Sequence, residues 1–378
     1  MLFQKLKQRL LSIYMSSLCR PDAERRMLSD LSEVKRIGIW QFGGVGDMLM
    51  ITPVIDALAV IYPQTKIHIW CSEPKFADFL YDFPNVEKLH ELNIYAFDAR
   101  TLCRAGKRRE LCQLRDEMLG LKLDMLINLH IPALLDWWAV AWWLVKHAGS
   151  KFSIGFDPDM TPSKSVYDIS LPASDREGTH YTNLYQSLLS RMGVTSGVTT
   201  RFPVLDEARK KAQVLLGNIG IDDDQTWVCM HAGARRLALI GKQWPTERFS
   251  ELARVLQSMG VRTVLIGVAS EQSLADEIRQ RSPDTLTLVG QTGLSVMAAV
   301  IAEANAFVGQ DSGPFHVAVT QGVPSVALCG RADAEAHYLA YDREDVHVLA
   351  RPDPILISVD DVLQQVRSYL PTQEGKTA

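Results

Sequence analysis

Residues 34–61, VKRIGIWQFGGVGDMLMITPVIDALAVI, decide the fold. The β-branched run at 34–40 predicts a short strand that ends in a glycine-rich turn, and 48–61 has the apolar pattern of a helix. Residues 66–71, KIHIWC, predict a second strand. This order of strand, turn, helix and strand indicates a parallel sheet with crossover helices.

The same alternation continues along the chain in two blocks. The first block adds predicted strands at 125–129 and 151–155, a helix-like segment at 75–81 and a helix at 134–147. After a polar helical segment at 201–224, the second block adds strands at 227–231, 262–267, 286–290, 306–309 and 325–329, and helices at 246–259, 271–281, 294–304, from Ser312, and at 359–370. We therefore expect an α/β fold with two doubly wound, Rossmann-like domains in tandem, facing each other across a cleft.

Domain boundaries follow from this pattern. The first domain is predicted at 1–205 and the second at 206–350, a division that suits a chain of 378 residues. The remaining segment, 351–378, is expected to carry a C-terminal helix that packs back across the linker, followed by a tail.

Composition excludes several classes of protein. A net charge of −4 provides no basic field for nucleic acid, so no nucleic-acid partner is expected. The 6 cysteines include no C-x-x-C pair, which favours reduced thiols in a cytoplasmic protein over a disulfide framework or a zinc site.

The N-terminal segment, MLFQKLKQRLLSIYMSSLCR, is too interrupted by charge for a signal peptide. One helical face carries apolar side chains, and the first twenty residues contain no acid. The apolar residues are Phe3, Leu6, Leu10 and Ile13, and the basic ones are Lys5, Lys7, Arg9 and Arg20. Residues 1–20 therefore form either an interfacial helix on the cytoplasmic face of an anionic inner membrane or a helix packed on its own domain.

The segment DSGPFH, 311–316, reads as the start of a helix that can hold an anion. Asp311 and Ser312 are N-cap residues, Gly313 allows close approach to the backbone, and Pro314 suits the first turn. The free N–H groups and the positive end of the helix dipole favour phosphate. The alternative is a well-capped structural helix.

The loop GGVGD at 43–47 invites a dinucleotide-binding interpretation, but the G-x-G-x-x-G pattern fails at Leu49. A carboxylate at Asp47 would also repel a pyrophosphate. Asp47 is better suited to accept a proton from a hydroxyl as a general base. The alternative is an ordinary capping aspartate.

Basic and acidic side chains follow the strands of the second block. Arg235, Arg236 and Lys242 lie in one loop, where Lys242 is the best candidate for a diphosphate contact and the arginines are more simply solvated. Glu271 is placed to hold ribose hydroxyls, or it caps a helix. His316 contacts a phosphate or sugar, or it is a packed histidine.

A basic segment in the first block is a weaker candidate for acceptor binding. It contains Arg104, Lys107, Arg108, Arg109 and Arg115. These cations suit the phosphates or acidic sugars of a lipid-linked saccharide, although a solvated helix face explains them equally well.

Four segments together resemble glycosyltransferase family 9, the ADP-heptose:lipopolysaccharide heptosyltransferases. They are GGVGDMLMITP at 43–53, KQWP at 242–245, Gly290 with its following helix, and DSGPFHVAVTQGVPSVALCG at 311–330. The last is the most specific, and it departs only at Ser312, where threonine is commoner.

The resemblance implies a GT-B fold and an inverting transfer of heptose from ADP-heptose to the lipopolysaccharide inner core. It implies acceptor binding in the first domain and donor binding in the second, with no required cofactor or metal. The implied catalytic residues are Asp47 as base and Lys242 with the 311–313 amides at the ADP leaving group. The implied donor contacts are Gly233, Glu271, Asp311, Ser312, Gly313 and His316, and the acceptor candidates are Gly44, Gly46, Arg104, Lys107 and Arg108.

Alternatives stay open at this point. The nearest is a glycosyltransferase of the same fold that uses another nucleotide sugar or a protein acceptor. More distant ones are a dinucleotide-dependent oxidoreductase, which the missing third glycine disfavours, and a non-catalytic nucleotide-sugar or membrane-binding protein, which Asp47 disfavours.

Overall fold

The computed structural model describes residues 2–20, 26–27, 33–98, 101, 104–131, 135–158, 165–176, 179–194, 199–222, 224–234, 243–330, 341 and 343–370, with the main chain alone at 2–6 and 175–176. The chain divides into two compact units, Met1–Thr200 and Arg201–Ala378. The sequence-based boundary lies at 205/206.

The first unit contains a parallel sheet of six strands in the order β3-β2-β1-β4-β5-β6. The strands are β1 (Arg36–Trp40), β2 (Lys66–Cys71), β3 (Val86–Glu91), β4 (Met125–Asn128), β5 (Phe152–Asp157) and β6 (Ile169–Pro172). The α-helices include α1 (Leu2–Leu18), α2 (Val45–Met50), α3 (Thr52–Ile61), α4 (Ala105–Leu121), α5 (Leu135–His147) and α6 (Tyr181–Ser190). Short 3₁₀ helices lie at Pro74–Phe76, Asp78–Asp82, Ile94–Ala96 and Ala173–Arg176.

The second unit contains another parallel sheet of six strands, in the order β12-β11-β10-β7-β8-β9. The strands are β7 (Trp227–His231), β8 (Arg262–Leu265), β9 (Leu286–Thr287), β10 (Ala306–Gln310), β11 (Ser325–Cys329) and β12 (Val346–Ala350). The α-helices include α7 (Asp206–Asn218), α8 (Thr246–Ser258), α9 (Gln272–Arg281), α10 (Leu294–Ala302), α11 (Gly313–Thr320) and α12 (Val359–Arg367), and 3₁₀ helices lie at Ala269–Glu271 and Pro354–Leu356.

Both sheets have the same doubly wound order, in which the first and fourth strands of each unit are neighbours. Their central strands are apolar on both faces because helices cover both sides of a parallel sheet. All five residues of β7, β10 and β11 are buried. The predicted α/β fold with two parallel, doubly wound sheets is confirmed.

The helix predicted over 48–61 is two helices, α2 and α3, which meet at Ile51. Pro53 explains the break, because a proline lacks an N–H and its ring collides with the carbonyl of an earlier turn. The Thr52 hydroxyl donates to the Leu49 carbonyl, 2.7 Å away, which helps to satisfy the interrupted helix end.

Three strands are absent from the sequence-based prediction. β3 and β12 lie at the edges of their sheets, and β6 is the other edge of the first sheet. An edge strand has one neighbour, and β3, VEKLHE, carries mostly polar side chains, so its apolar pattern is weak. The helix predicted at 75–81 is instead two 3₁₀ turns.

Helix α1 packs on α5 of its own unit. Leu11, Met15 and Leu18 of α1 are buried, whereas Leu10 and Ile13 are 59% and 60% exposed. No described helix combines the length and the apolar character that crossing a bilayer requires. At the other end of the chain, α12 contacts α8, β11 and β12 of the second unit. The prediction that this helix packs back across the linker stays a prediction.

Candidate functional site

The carboxyl ends of β7 and β10 lie side by side in the second unit. His231 ends β7, Gln310 ends β10, and Gly309 pairs with His231 in the parallel register. The strand order reverses between these two strands, and ligands of open α/β sheets bind at the carboxyl ends of strands at such a switch point.

Glu271 reaches this point from the loop after β8. Its Oε2 lies 3.2 Å from His231 Nε2 and accepts the Val268 N–H at 3.0 Å. A Cβ built on Gly233 would overlap Oε1 of the same carboxylate, and one on Gly267 would overlap Oε2. The two glycines therefore make room for Glu271, which explains why Gly233 has no side chain.

The environment of Glu271 holds it in the charged form. Burial alone would raise its pKa, but the hydrogen bond and the charge of His231, together with the Val268 N–H, outweigh this effect and lower the pKa below its ordinary value. An ionised carboxylate at a strand end can accept hydrogen bonds from sugar hydroxyls.

His231 also contacts the start of α11. Its Nδ1 lies 3.0 Å from Ser312 Oγ, which is also 3.0 Å from the Gln310 carbonyl oxygen. Among the described residues, this hydroxyl caps no amide of the helix, although Ser312 is the N-cap by position. Pro314 has no N–H and the Phe315 N–H donates to the Ser312 carbonyl at 3.1 Å, so in this first turn the Gly313 N–H is the amide left for another acceptor.

Asp311 and His316 flank this helix start. The Asp311 N–H donates to the Leu328 carbonyl at 3.3 Å, which fixes the loop to β11. His316 is buried, with its Nδ1 2.8 Å from the Tyr341 hydroxyl. Burial and the nearby charge of Asp311 raise the pKa of Tyr341 above its ordinary value, so this hydroxyl keeps its proton.

A buried glutamine ties the loops around the site together. Gln310 Oε1 accepts the Trp244 N–H at 3.0 Å, and its Nε2 donates to the Ala232 carbonyl at 2.7 Å. The Trp244 indole N–H donates to the Ile357 carbonyl at 2.9 Å. Trp244 of the KQWP block is therefore anchored to the core. Lys242, Arg235 and Arg236 lie outside the described residues.

Asp47 lies in the first turn of α2, after β1 of the first unit. Its Oδ2 accepts the Gly44 N–H at 2.9 Å. Gly43 has φ +149°, and a Cβ there would overlap the Asp47 carboxylate, so only glycine suits this position. Gly44 is exposed and Gly46 is buried. The carboxylate is thus fixed by the loop and half-buried.

The basic acceptor candidates lie at the start of α4. Arg104 is its N-cap residue and is exposed, as is Arg108. Lys107 forms an ion pair with Glu110 at 2.7 Å and lies over the Phe97 ring, so part of its charge is already compensated.

Metal binding is not indicated in the part of the chain that the structure describes, where no three His, Cys, Asp or Glu side chains form a group suited to a metal ion.

Sequence patterns missed His231, Gln310 and Tyr341 as site residues. A signal for the first two was present, because each is a polar residue at the end of an otherwise apolar, buried strand. Nothing comparable marks Tyr341, which reaches His316 only through the tertiary fold.

Comparison with known proteins assigns the family. The model of glycosyltransferase family 9 (heptosyltransferase) matches residues 114–355, more than half of the chain. Lipopolysaccharide heptosyltransferase 3 of Escherichia coli is 28% identical over 298 residues, which cover 76% of this chain and 80% of that protein.

Solved structures share the fold. A family 9 glycosyl transferase from Veillonella parvula superposes with a TM-score of 0.70 at 22% identity, over 89% of this chain and 97% of that one. Escherichia coli heptosyltransferase WaaC with ADP gives 0.61 at 21% identity, over 88% and 99%. They confirm the expected GT-B class of α/β fold. The chain therefore belongs to glycosyltransferase family 9, the heptosyltransferase family.

Proposed function

We propose that this chain transfers a heptose from ADP-heptose to a hydroxyl of a lipopolysaccharide inner-core acceptor, with inversion at the anomeric carbon. The family and the names of its relatives support the sugar and the acceptor class. The observation that carries the donor assignment is the meeting of Glu271, His231 and the N-terminus of α11 at one switch point.

The second unit holds the donor in this proposal. The Glu271 carboxylate accepts hydrogen bonds from the ribose, and Gly233 keeps its position open. The amides at 312–313 and the positive end of the α11 dipole bind the diphosphate, together with Lys242. The Asp311 amide, expected from the sequence to join them, donates to the Leu328 carbonyl instead. His316 and Asp311 shape the same pocket. The positive charge and the N–H donors of these groups stabilise the negative charge of the departing ADP, so the proposal requires no cofactor or metal.

Asp47 of the first unit acts as the general base. It takes the proton of the acceptor hydroxyl while that oxygen forms a bond to C1 of the heptose. The bond between C1 and the diphosphate oxygen breaks on the opposite face, and its electron pair leaves with ADP. Attack opposite to the leaving group inverts the configuration. The Gly44 N–H fixes the orientation of the base.

The acceptor side of the proposal rests on charge and exposure. Arg104 and Arg108 are exposed and suit phosphates of a lipid-linked core, with Lys107, Gly44 and Gly46 as further candidates. Leu10 and Ile13 of α1 contact the cytoplasmic face of the inner membrane, where the lipid-linked acceptor lies. Two basic residues of this segment are engaged within the fold, since Lys7 pairs with Asp136 and Arg20 with Asp168.

The test of the base is Asp47→Asn, which keeps the shape and an acceptor for the Gly44 N–H but cannot take a proton. We expect kcat to fall by roughly 10² to 10⁴. ADP affinity should stay within about twofold, because the donor contacts lie in the second unit. Asp78→Asn, at an exposed carboxylate of the first unit, is the matched control. A kcat for Asp47→Asn equal to that of this control would contradict the assignment.

A further inference from the structure

Three side chains at or after the carboxyl ends of β7, β8 and β10 form one hydrogen-bonded chain in the second unit. Glu271 Oε2 lies 3.2 Å from His231 Nε2, and His231 Nδ1 lies 3.0 Å from Ser312 Oγ. His231 is 5% exposed and Glu271 is 19% exposed, so the chain is largely shielded from water. Hydrogen bonds in such surroundings are stronger than at the surface.

The acceptors around His231 define the hydrogens of its ring. An ionised carboxylate only accepts hydrogen bonds, so the hydrogen toward Glu271 belongs to His231 Nε2. The Ser312 hydroxyl donates its one hydrogen to the Gln310 carbonyl, so its oxygen accepts a hydrogen from His231 Nδ1. His231 therefore donates from both ring nitrogens, to Glu271 and to Ser312.

The direction of this hydroxyl matters for the helix start. An N-cap serine ordinarily accepts the N–H of the second or third helical residue. Here the second residue is Pro314, which has no N–H, so Phe315 is the only such partner. The Phe315 N–H instead donates to the Ser312 carbonyl at 3.1 Å, while the Ser312 hydroxyl donates to the Gln310 carbonyl and lies 3.0 Å from His231 Nδ1.

We propose that His231 is a positioning residue of the donor site, which couples the carboxylate of Glu271 to the N-terminus of α11. It holds Ser312, and with it the start of α11, in a fixed position beside the Glu271 carboxylate. Without His231, Ser312 loses the hydrogen bond from Nδ1, and the Glu271 carboxylate loses the hydrogen bond from Nε2. The inference rests on the proposed function in that the ligand of this helix start is the diphosphate of a nucleotide-sugar donor.

Two substitutions separate the two contacts of His231. His231→Gln places an amide nitrogen near the position of Nε2 and keeps the contact with Glu271, whereas His231→Asn places an amide near Nδ1 and keeps the contact with Ser312. We expect each to weaken ADP binding by roughly tenfold, the loss of one hydrogen bond to a positioned group. His347→Gln is the control, since His347 is a histidine of the same unit that contacts Tyr369 instead. ADP affinities unchanged in both His231 variants would overturn the proposal.

A double-mutant cycle tests the coupling itself. Glu271→Gln and Ser312→Ala are measured singly and together for ADP affinity, first with His231 present and then in His231→Gln. With His231 present, we expect the ADP affinity of the double variant to differ by at least about threefold from the product of the two single effects. Without His231, the effects of the two substitutions on ADP affinity should be independent. Independence in both backgrounds would contradict the coupling. A variant that does not fold, as judged by its unfolding transition, is replaced by the corresponding cycle in His231→Asn.

A spectroscopic test does not depend on the donor. In a ¹⁵N NMR spectrum of histidine-labelled protein, with the His231 signal assigned by its loss in His231→Gln, both ring nitrogens of His231 should carry hydrogen. A ring nitrogen without hydrogen would overturn the inference even if ADP binds. Hydrogen on both nitrogens in a protein that binds no ADP would instead contradict the proposed function.

Discussion

Gly233 leaves the space that the carboxylate of Glu271 occupies, since a Cβ built on Gly233 would overlap Glu271 Oε1. The glycine follows β7, and the carboxylate comes from the loop after β8. The position of the Glu271 carboxylate thus depends on the absence of a side chain at Gly233.

We predict that Gly233→Ala displaces Glu271 and weakens ADP binding by roughly tenfold, because both the carboxylate and its contact with His231 move. Isothermal titration of ADP measures the effect. Gly217→Ala is the matched control, since a Cβ there meets nothing within 4 Å and alanine is favoured in a helix. Equal ADP affinities of the two variants would contradict the role of Gly233.

Gln310 is predicted to be a major contributor to the stability of the second unit. Gln310→Leu leaves the Trp244 N–H and the Ala232 carbonyl without their partner, so we expect a loss of about 2–4 kcal/mol in the free energy of unfolding. Urea denaturation measures this loss. The control, Gln257→Leu at an exposed position of α8, should change the free energy by less than about 0.5 kcal/mol. Similar values for the two variants would rule out the bridging role of Gln310.

Much of this fold can be predicted from the sequence because the central strands are apolar along most of their length. The predicted bounds of β7 and β11 agree with the structure at every residue. β3 was not predicted because it lies at a sheet edge and its sequence, VEKLHE, has the pattern of a polar segment. Pro53 marked a helix break that the apolar pattern over 48–61 concealed.

The candidate site was predictable in its parts but not in its contacts. Glycines, N-cap residues and strand ends identified the loops that carry Glu271 and Ser312. Each pattern covers only a few neighbouring residues, whereas His231 meets side chains 40 and 81 positions away. For this reason Glu271 is predicted from the sequence only as a sugar ligand or a helix cap, and His231 has no predicted role.

The histidine pair of the first unit predicts a loss of stability in mild acid. His68 Nδ1 and His90 Nε2 lie 3.1 Å apart, and His90 stacks on Trp70. Burial lowers the pKa of His90 to about 4, with help from the charges of His68 and Lys88, and burial also lowers the pKa of His68.

The sign of this pH effect follows from the protonation of histidine in the folded and the unfolded state. An unfolded histidine has a pKa of about 6.5, so between pH 6.5 and about 4 the unfolded chain binds protons that the folded chain does not. The free energy of unfolding should therefore fall as the pH falls through this range. In His90→Gln the slope should be smaller in urea denaturation, whereas the control His347→Gln should keep it. An unchanged slope in His90→Gln would exclude the pair as its source.

The exposed face of α1 predicts binding to anionic membranes. Leu10 and Ile13 are more than half exposed, and Leu10→Ser with Ile13→Ser should weaken binding to phosphatidylglycerol vesicles by roughly tenfold in sedimentation. Val60→Ser is the matched control, at an apolar residue of the first unit that is 82% exposed. Vesicle binding that the double substitution leaves intact would show that α1 serves only to pack on α5.

The release of ADP by the purified chain is the most direct measurement of the proposed transfer. ADP-heptose is supplied with a panel of truncated inner-core lipopolysaccharides, and the mass of each acceptor is followed alongside ADP. We predict that ADP forms only with an acceptor present and that one acceptor gains the mass of a single heptose. If none of these acceptors supports release, while another nucleotide sugar or a protein acceptor does, the heptosyltransferase assignment is wrong.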